Sequence, residues 1–178
     1  ECSMNSLAAD NRPNTGCEFQ ENLEILRQID FFAGLPIETL KIFAYLCARE
    51  TYQTGDYLFV ENEDDGQAFY LISGRALLTH AADDAENEVL SFGSGQFLGS
   101  LALLGSMPRL FSLKAVEPVE CLLLTREKFT KAIEQFPELM PRLLNSVVAG
   151  IRSWEKGAIR AMVAQGGTLQ GMAGISAI

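Results

Sequence analysis

The chain has 178 residues, of which 48% are apolar and 21% are charged, so it can bury a core of ordinary size without metals or crosslinks. Its 14 basic and 23 acidic side chains give a net charge of −9, which repels nucleic-acid backbones and anionic membrane surfaces. It has no signal-peptide pattern and no run of about 18 apolar residues. We therefore expect a soluble cytoplasmic protein that binds neither nucleic acid nor membrane directly.

The N-terminal part of the chain changes from a polar stretch to a helical pattern. Residues 1–17 mix Asn, Asp, Ser, Pro and Gly, which predicts a disordered terminus. Apolar residues then recur at helical spacing over 18–32, and again after the turn at 34–36, so we predict two short helices. We assign residues 18–136, including the strands that follow, to one domain.

From Arg49 onward the pattern is that of short strands. Runs of Tyr, Phe, Leu and Val are separated by glycines and acidic clusters, as in a β-meander or jelly roll. The clearest strands are 57–60, 68–72, 76–79, 89–92 and 121–124. Two acidic segments are expected to face solvent, a turn carrying Glu61, Glu63, Asp64 and Asp65 and a hairpin tip at 81–87.

The helical pattern returns after the last strand. It covers Arg126–Gln135 and then a C-terminal helix over residues 137–165. That helix has apolar residues spaced by alternating threes and fours, as in a coiled-coil seam: Leu144, Val147, Ile151, Trp154, Ala158 and Ala161. We expect this seam to form a homodimer, although Trp154 is equally suited to stacking on a ligand base or to filling the core. Residues 166–178 are rich in glycine and predict a flexible tail.

The stretch from residue 92 to 109, FGSGQFLGSLALLGSMPR, carries the strongest functional signal. Its glycines allow tight turns and close approach to a ligand, and a helical turn begins near Gly99 with free N–H groups. Such a helix start favours an anion. Arg109, which follows Pro108, is placed to add a forked contact to the same anion. The stretch therefore predicts a phosphate site.

This stretch resembles the phosphate-binding cassette of cyclic-nucleotide-binding domains, a family that includes catabolite activators, protein kinase A regulatory subunits and nucleotide-gated channels. The resemblance covers about 100 residues, roughly 31–129, and includes 55–61 and 69–74. It implies a mainly β fold with flanking helices, in which an eight-stranded double-stranded β-helix, or jelly roll, precedes a long C-terminal helix. It also implies a regulatory sensor module in which capture of cAMP or cGMP moves that helix.

The resemblance also implies a set of ligand-binding residues, which are Gly99, Ser100, Leu101, Ala102, Arg109, Leu110 and Ser112. Ser100 stands where nucleotide-binding members usually have a glutamate that accepts from the ribose 2′-hydroxyl. Taken alone, a serine here favours a helix cap. Leu110 and Phe111 stand where small residues are usual, and Arg109 could instead pair with an acidic neighbour. The alternative function is thus a degenerate, ligand-free domain of the same fold used for dimerisation or protein interaction.

Other kinds of chemistry have little support in the sequence. The four cysteines contain no C-x-x-C pair, so neither a zinc site nor a disulfide framework is indicated. The one histidine, His80, lies beside the acidic hairpin, where we expect it to be solvated, and it cannot complete a catalytic triad. We expect no enzymatic activity, no metal and no cofactor beyond the candidate ligand. No helix-turn-helix pattern follows the long helix, so the output partner is expected to be another protein or domain.

Overall fold

The computed structural model describes residues 15–82 and 85–164. Most of the predicted disordered terminus, two residues of the predicted hairpin tip and the predicted flexible tail lie outside these residues. The described helices are α1 Thr15–Gln28, α2 Ile37–Leu46, α3 Ser100–Leu104, α4 Arg126–Gln135 and α5 Met140–Ala164. Short 3₁₀ turns at Asp30–Phe32 and Pro137–Leu139 precede α2 and α5.

The described residues contain eight strands in two four-stranded sheets. The strands are β1 Ala48–Tyr52, β2 Tyr57–Phe59, β3 Gln67–Ser73, β4 Arg75–Ala82, β5 Ala85–Gly93, β6 Phe97–Leu98, β7 Ser112–Ala115 and β8 Val119–Thr125. One sheet has the order β1-β8-β3-β6 and the other β2-β7-β4-β5, and the strand pairs are antiparallel. The predicted fold class, mainly β with flanking helices and a long C-terminal helix, is confirmed.

The strands differ from the sequence prediction in length and number. β4 and β5 pair from Arg75↔Gly93 as far as Ala82↔Ala85, so the predicted hairpin tip at 81–87 is mostly strand. Cross-strand hydrogen bonds therefore hold this acidic segment despite its polar composition. β1, β6 and β7 were not among the predicted strands: β1 and β7 carry polar residues that interrupt the apolar pattern, and β6 has only two residues inside the glycine-rich cassette.

Two clusters of buried side chains hold the molecule together. One fills the space between the sheets and includes Leu58, Phe69 and Leu113. The other joins the helices to the β1-β8-β3-β6 sheet and includes Phe43 and Phe129, whose rings stack 5.6 Å apart. Each buried aromatic side chain contributes about 1.5–3 kcal/mol. The helical layer is thus tightly attached to the roll.

Helix α5 begins inside the core and then runs along the surface of the domain. Leu143 is fully buried and Val147 packs against the helical core cluster, whereas Leu144, Val148 and Ile159 are about half exposed. Part of the predicted dimer seam therefore faces its own domain. Within the described residues, no helix is both long and apolar enough to cross a bilayer.

Candidate ligand-binding site

The glycine-rich cassette is a short strand, a left-handed glycine and one helical turn. Phe97 on β6 packs near Phe31 and Phe32, with ring centroids 5.9 and 5.8 Å apart, and so anchors the cassette to the helical layer. Gly99 then has φ 82° and is the N-cap residue of α3. A Cβ atom at Gly99 would lie 2.7 Å from the carbonyl oxygen of Gln67 and 2.8 Å from Nη1 of Arg109. Both the backbone angle and the close approach therefore require glycine here.

Arg109 is buried and points into the domain. Only 5% of it is exposed, and its guanidinium lies 4.2 Å above the ring of Phe59. Its Nε and Nη2 donate to Oδ1 of Asp65 at 3.1 and 2.6 Å, and Nη2 also donates to the carbonyl of Gln67 at 2.5 Å. The backbone groups of Arg109 exchange hydrogen bonds with Glu63 and Asn62 at 2.9 and 2.8 Å. The arginine is thus held in one position before any ligand is considered.

The Asp65–Arg109 ion pair is largely removed from solvent, with side chains 17% and 5% exposed. Removing one partner of a buried ion pair typically costs about 3–5 kcal/mol, since the other charge is left without compensation. The second carboxylate oxygen of Asp65, Oδ2, is buried and has no hydrogen-bond partner within the described residues. The site therefore holds the guanidinium of Arg109 and the carboxylate of Asp65, and one oxygen of that carboxylate can still accept a hydrogen bond.

A second ion pair joins the loop before β3 to α4, and its arginine also bonds to the cassette helix. Asp64 accepts hydrogen bonds from Arg126 and, at 2.5 Å, from the hydroxyl of Ser106. These bonds, that of Arg126 first, hold the pKa of the Asp64 carboxyl well below its usual range. Arg126 also donates from Nε to the carbonyl of Ala102 at 2.6 Å. One side chain on α4 thus links the end of α3 to the loop before β3.

The acidic turn is solvated only in part. Glu63 and Asp64 are exposed as expected, although Asp64 pairs with Arg126, whereas Asp65 is mostly covered and pairs with Arg109. Glu61 lies 3.0 Å from Nδ1 of His80 and also accepts from the N–H of Ala81, so His80 is not simply solvated either. The sequence places these carboxylates beside one another, but only the folded chain brings the basic side chains to them.

Two cavities flank the cassette helix. The smaller, which we call the arginine-side cavity, has a volume of about 290 Å³. It is lined by Phe59, Leu78, Gly99, Ser100, Leu101, Met107, Arg109, Leu110 and Phe111. The larger, which we call the helix-side cavity, has a volume of about 720 Å³ and lies between the 3₁₀ turn at Asp30–Phe32, α3 and α5. Arg109 lines only the smaller one, so the anion site predicted from the sequence corresponds to the arginine-side cavity.

Most of the predicted ligand-binding residues meet at the arginine-side cavity. Gly99, Ser100, Leu101, Arg109 and Leu110 line it together. Ala102 is fully buried, and its N–H donates to the carbonyl of Gly99 at 3.0 Å while its carbonyl accepts from Arg126. The hydroxyl of Ser112 accepts from the N–H of Glu61 at 2.9 Å. The main-chain groups of Ala102 and the side chain of Ser112 are therefore already engaged within the fold.

The structure also changes the role of Ser100 and adds residues that were missed. Ser100 is the first residue of α3, and Gly99 rather than Ser100 is the N-cap, so the predicted serine cap is wrong. The left-handed backbone at Gly99 occupies the cap position, which leaves Ser100 within the helix. Asp65 and Phe59, the main side-chain partners of Arg109, were missed because they lie about 44 and 50 residues away along the chain.

Known proteins match this chain over the same elements. Residues 49–136 match the family described as "Cyclic nucleotide-binding domain". The chain is 28% identical to cGMP-dependent protein kinase 2 of Mus musculus over 140 residues. This match covers 77% of this chain and 18% of the kinase. The chain is 34% identical over 119 residues to the cAMP-dependent protein kinase regulatory subunit of Hypocrea atroviridis, covering 66% of this chain and 24% of that protein. The chain thus spans less than a quarter of the length of either relative.

A solved structure has the same fold. The N-terminal domain of a transcriptional regulator from Streptomyces coelicolor superposes with a TM-score of 0.66 at 24% identity. The match covers 75% of this chain and 94% of that domain. The two-sheet roll with its flanking helices is therefore a shared architecture.

Proposed function

Because residues 49–136 belong to the cyclic nucleotide-binding domain family, we propose that this chain is a regulatory module that binds cAMP or cGMP. Among its relatives are a cGMP-dependent protein kinase and a cAMP-dependent protein kinase regulatory subunit, so both nucleotides are candidates. In this proposal the module senses a ligand and has no catalytic role of its own. The compartment we propose is the cytoplasm.

The position of Arg109 carries the proposal. Its guanidinium is buried at the arginine-side cavity, with Nη1 beside Gly99 and the other nitrogens bound to Asp65 and Gln67. A cyclic phosphate in this cavity would receive charge-assisted hydrogen bonds from Nη1 and from the N–H groups of Ser100 and Leu101. Such bonds are typically about twice as strong as neutral ones. A pre-positioned arginine also avoids the entropy cost of ordering it on binding.

Other residues of the arginine-side cavity favour weak binding of a nucleotide. Ser100 supplies a neutral hydroxyl in place of a carboxylate, so the ribose hydroxyl lacks a charged acceptor. The cavity of about 290 Å³ is at the small end for a ligand pocket, and the side chains of Leu110 and Phe111 line it. We therefore expect a dissociation constant higher than that of relatives with the glutamate.

We further propose that ligand capture shifts the position of α5. The cassette helix is connected to α4 by the bond from Arg126 to Ala102, and α5 follows α4 after one 3₁₀ turn. A ligand that draws the cassette toward Arg109 would pull on this connection and change the populations of two α5 positions. Hydrogen exchange of α5 with and without nucleotide tests this step. Equal protection in both states, at saturating nucleotide, would contradict it.

We also propose a homodimer through the exposed side of α5. Leu144, Val148 and Ile159 are 49%, 54% and 46% exposed on this helix, and covering such residues favours association. Sedimentation should give a dimer for the native chain and a monomer for Val148→Asp. A matched control, Lys41→Asp on α2, should stay dimeric. A native chain that remains monomeric at all concentrations would refute the dimer.

Calorimetric titration with cAMP and with cGMP tests the binding function directly. Arg109→Gln should abolish the heat of binding, whereas Arg75→Gln, which alters an exposed arginine paired with Glu117, should leave it unchanged. A variant with Leu110→Ala and Phe111→Ala should bind more tightly if these side chains restrict the cavity. Absence of binding at millimolar nucleotide in the native chain, in this double variant and in Ser100→Glu, all of them folded, would refute the proposal.

One observation favours a second function, that of a ligand-free interaction domain. Arg109 already has protein partners at Asp65 and Gln67, so the roll is complete without an anion. In that case the domain would serve only for dimerisation or for docking to another protein. A folded dimer that binds neither nucleotide in any of these variants would support this alternative.

A further inference from the structure

The helix-side cavity also borders the cassette helix, but Arg109 does not line it. Its volume of about 720 Å³ falls within the range of small-molecule sites. It is lined by Gln28, Ile29, Asp30, Phe31, Tyr70, Gly95, Phe97, Ser100, Leu101, Ser146, Val147, Gly150, Ile151 and Trp154. These residues come from the end of α1, the 3₁₀ turn, β3, the cassette and α5, so the cavity lies between the helices and one sheet of the roll.

Four of the fourteen residues that line the cavity are aromatic. Phe31, Tyr70, Phe97 and Trp154 each lie on a different element, and all four line the cavity. Trp154 is 67% exposed, so its indole is not used to fill the core. Aromatic ring faces carry negative electrostatic potential and attract cations placed within about 6 Å. A wall of several rings therefore suits an apolar ligand that bears a positive charge.

The charge of the residues that line the cavity also favours a cation. Asp30 is the charged residue among those that line the cavity, and no basic side chain is among them. Within the described part of the chain, its carboxylate has neither an ion pair nor a side-chain hydrogen bond. The chain as a whole carries a net charge of −9, which attracts cations toward its surface. An anion such as a nucleotide would find no compensating charge here.

We propose that the helix-side cavity binds an apolar organic cation, with Asp30 as its counter-ion and the rings around it as its contact surface. This site is separate from the arginine-side cavity and does not depend on nucleotide binding. The two cavities nevertheless share Ser100 and Leu101 as lining residues. Occupation of one is thus expected to alter the other through the single helical turn that separates them.

The charge selectivity can be tested with two probes of nearly the same shape. Tetraphenylphosphonium is a cation, and tetraphenylborate is the matching anion. Trp154 is the only tryptophan of the chain, so its fluorescence reports directly on this cavity. At physiological salt, we expect saturable quenching by the cation, with an affinity at least about tenfold higher than that for the borate. Equal or tighter binding of the borate, or no saturable binding of the cation, would overturn the proposal.

Variants separate recognition by this site from attraction by the net charge. Asp30→Asn should weaken binding of tetraphenylphosphonium about threefold to tenfold. The control Glu38→Gln makes the same change of charge at an exposed residue of α2 and should not weaken this binding. Trp154→Leu should lower the affinity for tetraphenylphosphonium about tenfold, as measured by calorimetry. The cation and the nucleotide are titrated separately into the native chain, so failure of the nucleotide proposal and failure of this one are distinguishable. Equal effects of Asp30→Asn and Glu38→Gln would overturn the role of Asp30.

Discussion

Gly99 offers the sharpest test of how the cassette holds Arg109. Replacing it by alanine has two separable costs. The left-handed backbone, φ 82°, costs an L residue about 1–2 kcal/mol. The new Cβ would also lie 2.7 Å from the backbone oxygen of Gln67 and 2.8 Å from Nη1 of Arg109, and such overpacking costs about 1–3 kcal/mol. We therefore expect Gly99→Ala to lower the free energy of unfolding by about 2–5 kcal/mol.

Two other glycines separate these costs. Gly55 also has positive φ, +98°, but a Cβ there meets nothing within 4 Å, so Gly55→Ala should cost only about 1–2 kcal/mol. Gly105, in the same cassette, has extended backbone and open space around it, and Gly105→Ala should be neutral or stabilise by about 0.4–1 kcal/mol. Urea unfolding followed by circular dichroism measures all three. If Gly99→Ala cost no more than Gly55→Ala, the close packing of Arg109 on Gly99 would be refuted.

Three further predictions concern the charged groups around the cassette. Arg109→Gln should lower the free energy of unfolding by about 3–5 kcal/mol because it strands the buried carboxylate of Asp65. Adding Asp65→Asn should recover part of that loss in urea unfolding, and strictly additive losses would contradict the coupling. Ser100→Glu should raise cyclic-nucleotide affinity roughly tenfold to hundredfold in calorimetry through a charged acceptor worth about 1.5–3 kcal/mol, and an unchanged affinity would count against a vacant ribose contact. The lowered pKa of Asp64 means that its ion pair stabilises the fold at neutral pH, and that this contribution is lost as the pH falls below the ordinary value of 3.8 toward the lower folded-state pKa. Urea unfolding at about pH 7, 4 and 2 should therefore show a steeper acid loss for the native chain than for Asp64→Asn, and parallel curves would exclude this role.

The fold class could be predicted because its signals are local. Apolar runs of four or five residues between glycines and acidic turns indicate strands, and Val119–Thr125 at the centre of its sheet was recognised in this way. β1 was missed because its polar residues interrupt the apolar pattern, and Glu50 and Thr51 are exposed on this edge strand. The hairpin between β4 and β5 was recognised, but its strands extend further into the predicted tip than expected, since cross-strand pairing overrides a polar composition.

The candidate site was only partly predictable. The cassette could be recognised because its glycines and Arg109 all lie in one continuous segment, residues 93–109. The helical seam of α5 was also visible, but its spacing could not tell which side faces the domain. In the structure Val147 packs inward while Val148, the next residue, is exposed, since successive helical residues are rotated by about 100°.

The sequence by itself determined the five longest apolar strand segments, the glycine-rich turn and the arginine that follows it, because those features depend on neighbouring residues. Only the tertiary structure decided that Arg109 meets Asp65, 44 residues away, and that Arg126 meets Asp64, 62 residues away. Such contacts depend on sheet register, where a shift of one residue moves a side chain to the opposite face. Pairings between distant charged residues are therefore set by the fold as a whole and not by any local pattern.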